Sequence, residues 1–265
     1  MKTDKTKPHA IFLDIDGTLA AFAKDIRTIR DDIIPERNKK AIKAAREKGH
    51  KVFINTGRGY AALSKAFFED VEVDGFITAL GSYIEVDGRA IFDYPISENI
   101  LDRLFDYISE NDLPCRFQGK KTLLYHGIER KLEPLWQKVS TKEELHKALG
   151  DDDVSKITID RCLEGEYLDF VRTHLNCYIS GTSGEAAMKG CDKAQAMLKV
   201  LSYIGIDQKY SIAMGDSIND REVLKCAGTS IATGNASDEV KAMCDMVTLC
   251  DTEGGVGKAI EDLLL

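Results

Sequence analysis

The chain has 265 residues and a formal net charge of −8 at pH 7, with 43% hydrophobic and 30% charged residues. Such an acidic chain is not expected to bind nucleic acid, because phosphate backbones require a concentrated basic surface. The apolar fraction is sufficient for a buried core, and the length allows one large domain or two smaller ones. A small anionic substrate is compatible with the net charge if positive charge is supplied locally.

The cellular location is predicted from apolar segments and cysteines. No apolar run reaches the roughly 18 residues of a membrane-spanning helix, and residues 1–10 do not resemble a signal peptide. The seven cysteines are an odd number, and none are spaced as Cys-x-x-Cys. This pattern favours reduced thiols over a disulfide framework or a zinc site. We therefore predict a cytoplasmic protein with no membrane partner.

Strand and helix signals alternate in the first 82 residues. Short apolar runs predict strands, and segments with helix-type starts and stops predict helices. The predicted elements are strands at Ala10–Leu13, Lys51–Ile54 and Phe76–Leu80 and helices at Glu36–Lys48 and Arg58–Glu69. This rhythm indicates βαβ units and a parallel sheet.

The pattern changes after residue 82. Asp87-Gly88 lies between two short runs and predicts a hairpin of Tyr83–Val86 and Ala90–Tyr94. The remaining predictions are helices at Ile96–Asn111 and Thr141–Leu149, and strands within Cys115–Tyr125 and at Lys156–Asp160, Tyr167–Arg172 and Cys177–Ser180. We interpret residues 83–184 as an inserted α+β domain.

The first rhythm returns after residue 184. The predicted elements are helices at Lys193–Ile204, Asp220–Cys226 and Asp238–Cys244 and strands at Ser211–Met214 and Ser230–Ala232. The predicted fold is α/β: a Rossmann-like parallel-sheet core with helices on both faces, plus an inserted α+β cap domain. The core comprises residues 1–82 and 185–265, and the cap comprises residues 83–184.

Two acidic segments follow predicted strands. Asp14 and Asp16 close the first strand, and Asp216 and Asp220 follow the strand Ser211–Met214. Either segment alone also fits a capped turn or an acidic helix N-terminus. Together, at the carboxyl ends of parallel strands, they would bring three or four carboxylates to one place. Two such charges about 4 Å apart repel by about 4 kcal/mol at an effective dielectric of 20, so protons or a divalent cation are required. Hard oxygen ligands favour Mg²⁺.

Two further segments can bind phosphate. Thr56-Gly57-Arg58 ends the second strand, where Thr56 fits a helix N-cap and its hydroxyl and nearby amides also fit phosphate oxygens. Lys193 begins a helix after the insertion. A single lysine is usually exposed, so its significance depends on the other segments.

In combination, these segments resemble the haloacid dehalogenase-like hydrolase superfamily, Cof-type phosphatase branch. Four segments resemble the family motifs in chain order: Asp14–Leu19, Thr56–Arg58, Lys193 and Gly215–Asp220. Gly234–Ala236 and Glu253–Val256 resemble its C-terminal pattern, and the insertion resembles its cap. One departure is Leu80, which stands where the family commonly has asparagine.

The resemblance implies a phosphatase that uses Mg²⁺ and an aspartyl-phosphate intermediate. Asp14 would be the nucleophile, and Asp16 the general acid and base. The implied metal ligands are the Asp14 carboxylate, the Asp16 backbone carbonyl, Asp216, and Asp220 directly or through water. The residues implied to bind or orient the phosphoryl group are Thr56, Gly57, Lys193 and Asn219.

The sequence leaves two alternatives to a phosphatase open. A phosphotransferase or mutase would use the same intermediate with a hydroxyl acceptor, and a non-catalytic protein would bind a phosphorylated metabolite without turnover. Asp16 argues against the non-catalytic protein, which needs no general acid. The expected partner is a small phosphorylated metabolite, such as a sugar phosphate. The sequence predicts neither the substrate nor the oligomeric state.

Overall fold

A computed structural model of the chain describes residues 5–21, 33–63, 65–128, 135–161, 165–180 and 182–265. The six cysteines within these ranges carry free thiols, and Cys162 lies outside them. Among the described residues, no helix is long and apolar enough to cross a membrane.

The first sheet has eight strands and contains the central strand β1. Its strands are β1 (Ala10–Leu13), β2 (Lys51–Asn55), β3 (Gly75–Thr78), β4 (Tyr83–Val86), β5 (Arg89–Asp93), β12 (Ser211–Gly215), β13 (Thr229–Ala232) and β14 (Met246–Val247). They are ordered β14-β13-β12-β1-β2-β3-β4-β5. Pairing is parallel except between β3 and β4 and between β4 and β5. The parallel sheet predicted for the core is confirmed.

Helices cover both faces of this sheet. Successive side chains of a strand point to opposite faces, so β1 packs against helices on both sides. The helices are α1 (Glu36–Glu47), α5 (Lys193–Ile204), α6 (Arg221–Cys226), α7 (Asp238–Met243) and α8 (Gly255–Leu264). Ile11 and Leu13 of β1 belong to a buried cluster with α1 and α8. Ala10 and Phe12 point to the other face and belong to a cluster with α5, α6 and α7. Burial on both faces explains why β1 is a continuous apolar run.

The second sheet has six strands, and three helices pack against it. Its strands are β6 (Cys115–Gly119), β7 (Leu123–His126), β8 (Trp136–Lys138), β9 (Val154–Ile159), β10 (Leu175–Ser180) and β11 (Ser183–Met188), and its helices are α2 (Glu98–Glu110), α3 (Lys142–Leu149) and α4 (Gly165–His174). The strand order is β10-β11-β9-β6-β7-β8. Phe105, Leu145 and Val171 of the three helices pack with Ile157 of β9 in one cluster.

The limits of the two sheets differ from the predicted domain limits. The hairpin β4–β5 was predicted within the cap, but it extends the first sheet, because the short connection at residues 79–82 returns the chain beside β3. At the other end, β11 belongs to the second sheet and continues to Met188. This strand was not predicted, since Gly184, Ala186 and Ala187 have low strand propensity. The division into core and cap domains stays a prediction.

Three helical regions also differ from the prediction. The helix expected at Arg58–Glu69 is replaced by short 3-10 turns at Tyr60–Ala62 and Lys65–Phe68. Gly57 and Gly59 disfavour a regular helix there. Tyr167–Arg172 was predicted as a strand but lies in α4, where the apolar residues have helical spacing. Helix α8 was not predicted, because its first residues include two glycines.

Candidate active site

Asp14 lies at the carboxyl end of β1, beneath a turn that requires glycine. The backbone N–H of Asp14 donates to the Met214 carbonyl of β12 (3.1 Å). Gly17 adopts a φ of +75°, and a Cβ at this position would lie only 2.6 Å from Oδ2 of Asp216. Glycine therefore lets the turn that follows β1 approach Asp216 closely.

Lys193 joins the two acidic segments. It is the first residue of α5 and is 1% exposed. Its Nζ donates hydrogen bonds to Oδ1 of Asp14 (2.7 Å) and to Oδ1 of Asp220 (2.6 Å). A third contact reaches Oδ1 of Asn219 (3.2 Å). In this arrangement the lysine neutralises buried carboxylates directly, whereas the resemblance implied contact with the phosphoryl group.

The acidic groups are strongly perturbed. Burial raises the pKa of Asp14 well above its usual value, and the charge of Lys193 opposes this rise. Burial, followed by the charge of Asp220, raises the pKa of Asp216 to about 7. Burial lowers the pKa of Lys193, but Asp14 and Asp220 outweigh it and hold that pKa above its usual range. The carboxylates therefore lack sufficient positive charge even with Lys193 in place.

The same carboxylates fit a divalent cation. Oxygen atoms of Asp14, Asp216 and Asp220 lie within 4.8 Å of one another. Both oxygens of Asp220 are engaged: Oδ1 accepts from Lys193, and Oδ2 accepts from the backbone N–H groups of Asp216 (3.2 Å) and Ser217 (3.3 Å). Asp14 and Asp216 therefore have more capacity for direct coordination than Asp220. The hard oxygen donors and the raised pKa values of Asp14 and Asp216 fit Mg²⁺.

Asp16 is held by Arg58, which the sequence analysis did not assign to the site. Nε of Arg58 donates to Oδ2 of Asp16 (2.9 Å), and its Nη2 donates to Oδ1. The two groups form a bidentate ion pair between loops that follow β1 and β2. Arg58 follows Gly57 in the segment Thr56-Gly57-Arg58 and lines the same cavity as Gly57, so its place at the site could have been expected from that segment.

Thr56 lies behind this surface. Its side chain is buried, and Oγ1 accepts a hydrogen bond from the backbone N–H of Arg58 (3.2 Å). The helix N-cap expected at Thr56 is wrong, because the first 3-10 turn begins only at Tyr60, with Gly59 as its N-cap. The contact instead fixes the turn that carries Arg58.

A cavity of about 690 Å³ lies between the two sheets. On the side of the first sheet, it is lined by five predicted site residues: Asp14, Asp16, Gly57, Asp216 and Asn219. Thr56, Lys193 and Asp220 do not line it and are buried. The structure thus brings the predicted residues together in two layers, one facing the cavity and one behind it.

The second sheet supplies the opposite wall of the cavity. Arg116 and Lys156 line it, each paired with a carboxylate: Arg116 with Asp160 (2.6 Å) and Lys156 with Glu185 (2.5 Å). Burial lowers the pKa of Lys156, while the charge of Glu185 opposes this effect. The sequence analysis assigned none of these residues to the site. Strand alternation in β9 could have placed Lys156 on this face.

Leu80 forms an apolar floor beneath Gly57. It is fully buried, with left-handed backbone angles of φ 58° and ψ 28°. Its Cδ2 lies 3.3 Å from the position that a Cβ on Gly57 would occupy. It also packs with Ala187 and Cys191. Asparagine, which the resemblance to the family leads one to expect at this position, adopts this left-handed backbone region more readily than leucine.

Sequence comparisons show that this chain is similar to known enzymes. Residues 11–260 match the family model described as haloacid dehalogenase-like hydrolase. The 5-amino-6-(5-phospho-D-ribitylamino)uracil phosphatase YcsE of Bacillus subtilis is 27% identical over 260 residues, which cover 95% of this chain and 98% of that protein. A phosphoglycolate phosphatase of Methanobrevibacter smithii is 28% identical over 266 residues, 97% and 98% of the two chains.

Solved structures share the fold. A haloacid dehalogenase-like hydrolase from B. subtilis superposes with a TM-score of 0.79 at 20% identity and covers 97% of this chain and 100% of that chain. The phosphatase BT1666 from Bacteroides thetaiotaomicron gives a TM-score of 0.78 at 21% identity and covers 97% and 95%. The predicted α/β fold is confirmed by these matches and by the sheets described above.

Proposed function

Because the chain belongs to the haloacid dehalogenase-like hydrolase family, as its motifs predicted, we propose that it is a Mg²⁺-dependent phosphatase that acts through an aspartyl-phosphate. The family match and the named relatives confirm the predicted class, phosphoric monoester hydrolase. The observation that carries the mechanism is the position of Asp14, which lines the cavity while Lys193 holds one of its oxygens from behind.

In the proposed first step, Asp14 attacks phosphorus with the oxygen that Lys193 does not hold. A bond forms between this oxygen and phosphorus, and the ester oxygen leaves with a proton from Asp16. In the second step, Asp16 removes a proton from water, the water oxygen attacks phosphorus, and the bond to Asp14 breaks. Phosphate is released and Asp14 is restored.

The remaining residues bind and orient the phosphoryl group. Gly57 and Asn219 line the cavity and are proposed to contact its oxygens. Thr56 is proposed to act by fixing this turn, and Lys193 by holding Asp14 and offsetting negative charge. Arg58, now paired with Asp16, is a further cation within reach of the cavity.

The acidic cluster supports a Mg²⁺ site formed by Asp14, Asp216 and the backbone carbonyl of Asp16. Asp220 is proposed to support the site from behind, directly or through water, because both of its oxygens already accept hydrogen bonds. When bound, the cation supplies positive charge to the carboxylates and to the phosphoryl oxygens.

The proposed substrate is a small phosphorylated metabolite, such as a sugar phosphate. The two named relatives act on small phosphorylated molecules, and the cavity has charged and hydroxyl-bearing walls. We propose no nucleic-acid partner, given the net charge of −8. A cytoplasmic location stays a prediction, supported by the free thiols of the six described cysteines.

The test is a screen of phosphorylated metabolites with Mg²⁺, followed by removal of the metal with EDTA. We expect phosphate release that requires Mg²⁺ and is abolished in Asp14→Asn. The matched control is Asp87→Asn, the same chemical change at an exposed turn where φ is 48° and asparagine is well tolerated. Turnover that survives full chelation would contradict the metal site, and turnover in Asp14→Asn would contradict the nucleophile.

The same screen separates the alternatives. Transfer of phosphate to an added sugar hydroxyl faster than to water would identify a phosphotransferase or mutase. Binding of a metabolite without any turnover would identify a non-catalytic binding protein. Asp16 and its position at the cavity favour the phosphatase over the binding protein, because a general acid has no role in binding alone.

A further inference from the structure

Two side chains of the second sheet hold the backbone of the loop at residues 57–59. Oε1 of Gln118 accepts a hydrogen bond from the backbone N–H of Gly59 (2.8 Å). Nζ of Lys156 donates to the backbone carbonyl of Gly57 (2.8 Å). The loop is therefore held once as a donor and once as an acceptor, at positions on either side of Arg58.

These two side chains are neighbours in the second sheet. Gln118 of β6 pairs directly with Lys156 of β9, and both are buried. Glu185 binds Nζ of Lys156 and fixes its position. Gly59 allows the close approach, because a Cβ there would lie 2.7 Å from Cβ of Gln118. The contact is thus a fitted junction between the two sheets.

Arg58 is the residue that this junction controls. Its neighbours on both sides are held by the second sheet, and its own N–H donates to Thr56. Its guanidinium group holds both carboxylate oxygens of Asp16. A continuous series of contacts therefore runs from Gln118 and Lys156 through the loop and Arg58 to Asp16.

We propose that Gln118 and Lys156 are positioning residues that fix loop 57–59 and thereby set the place of Arg58 and Asp16. The inference rests on the proposed phosphatase function, in which Asp16 protonates the leaving group. Gln118 gives the cleaner test, because it does not line the cavity, whereas Lys156 does.

The test uses Gln118→Met, which keeps the side-chain volume but removes the oxygen acceptor. Two probes are compared with Mg²⁺: p-nitrophenyl phosphate, whose leaving group needs no proton, and glycerol 2-phosphate, whose alkoxide does. We expect kcat/KM for glycerol 2-phosphate, which reports formation of the aspartyl-phosphate and excludes its hydrolysis, to fall roughly 10- to 100-fold, the range that misplacement of a catalytic group produces. We expect kcat/KM for p-nitrophenyl phosphate to change much less, because its leaving group needs no proton.

Two further variants separate positioning from general support of the second sheet. Lys120→Met removes an ion pair between Lys120 and Asp93, which also joins the two sheets but does not touch the loop. It should leave the ratio of the two kcat/KM values unchanged. Gln118→Glu retains an oxygen acceptor and should restore most of the lost activity.

A double-mutant cycle with Arg58→Ala tests the route of the effect. If Gln118 acts through Arg58, Gln118→Met should reduce kcat/KM for glycerol 2-phosphate less than about twofold further in the Arg58→Ala background. Independent, multiplying losses would overturn the inference, as would equal losses of kcat/KM on both probes or an unchanged kcat/KM for glycerol 2-phosphate. If the wild-type protein releases phosphate from neither these probes nor any metabolite of the screen, the proposed function itself fails, a result distinct from these.

Discussion

Lys193 carries a prediction that follows from its position among buried carboxylates. Lys193→Met replaces a buried ammonium group with an apolar side chain of similar length. The change leaves Asp14 and Asp220 without the hydrogen bonds of 2.7 and 2.6 Å that they now accept. Asp216 then remains beside them with no compensating charge from the lysine.

The size of the effect follows from the distances. Oxygen atoms of the three aspartates lie within 4.8 Å of one another. Two unit charges at this separation repel by about 3.5 kcal/mol at an effective dielectric of 20. Removal of one member of a buried ion pair typically costs about 3–5 kcal/mol. We expect Lys193→Met to lower the free energy of unfolding by about this amount in the absence of divalent cations.

The assay is urea unfolding followed by circular dichroism, in EDTA and at a pH above 7. Gln195→Met is the matched control, since Gln195 is exposed on the same helix and its substitution should change stability by less than about 0.5 kcal/mol. The deficit of Lys193→Met should shrink at lower pH, where the carboxylates bind protons, and on addition of Mg²⁺. A loss below about 1 kcal/mol that is insensitive to pH would refute this account of the site.

Further predictions concern pH and backbone geometry. The pKa of Asp216 is raised to about 7, so the folded state holds more protons than the unfolded state between about pH 4 and pH 7. In EDTA, stability should therefore fall as the pH rises through this window, and urea titrations with Mg²⁺ should lose this slope. Gly17→Ala should reduce kcat by roughly tenfold or more through its contact with Asp216, whereas Gly49→Ala, at a similar positive φ with nothing within 4 Å, should not. Burial acts to raise the pKa of the Asp74 carboxyl group, but hydrogen bonds from a backbone amide and two basic side chains outweigh burial and hold this pKa below its usual value. Asp74→Asn should lower stability by about 2 kcal/mol at neutral pH, and in acid titrations the difference from wild type should shrink as the pH falls below about 4 and through the lowered pKa of Asp74.

The sequence predicted the part of the site that local patterns determine. Asp14 follows a strand buried on both faces, and Asp216 follows a neighbouring strand, so their convergence follows from parallel pairing. The same reasoning places Lys193 nearby, at the start of a helix on one face of this sheet. Parallel pairing of adjacent strands brings the residues that follow each strand into one cluster. Such strands can be recognised in the sequence from their continuous apolar runs.

Contacts between the two sheets could not be predicted in this way. The bond between Lys156 and Gly57 joins residues 99 positions apart that lie in different sheets. No periodic pattern records how the sheets are oriented. The 3-10 turns after Arg58 also depend on a contact between the sheets. The backbone of Gly59 binds Gln118 of the second sheet, which favours an irregular backbone where the apolar pattern suggests a helix.

The central place of β1 has a consequence for how the protein is made. β1 leaves the ribosome before one of its two neighbours, β12, which follows about 200 residues later. Until then, one edge of a wholly apolar strand stays unpaired, a state in which chains aggregate. Lys193, Asp216 and Asp220 also follow β1 by about 180 residues or more, so the charge network around Asp14 can form only after this later segment has been synthesised. The first sheet therefore has high contact order, and its folding is expected to be slow compared with that of the second sheet.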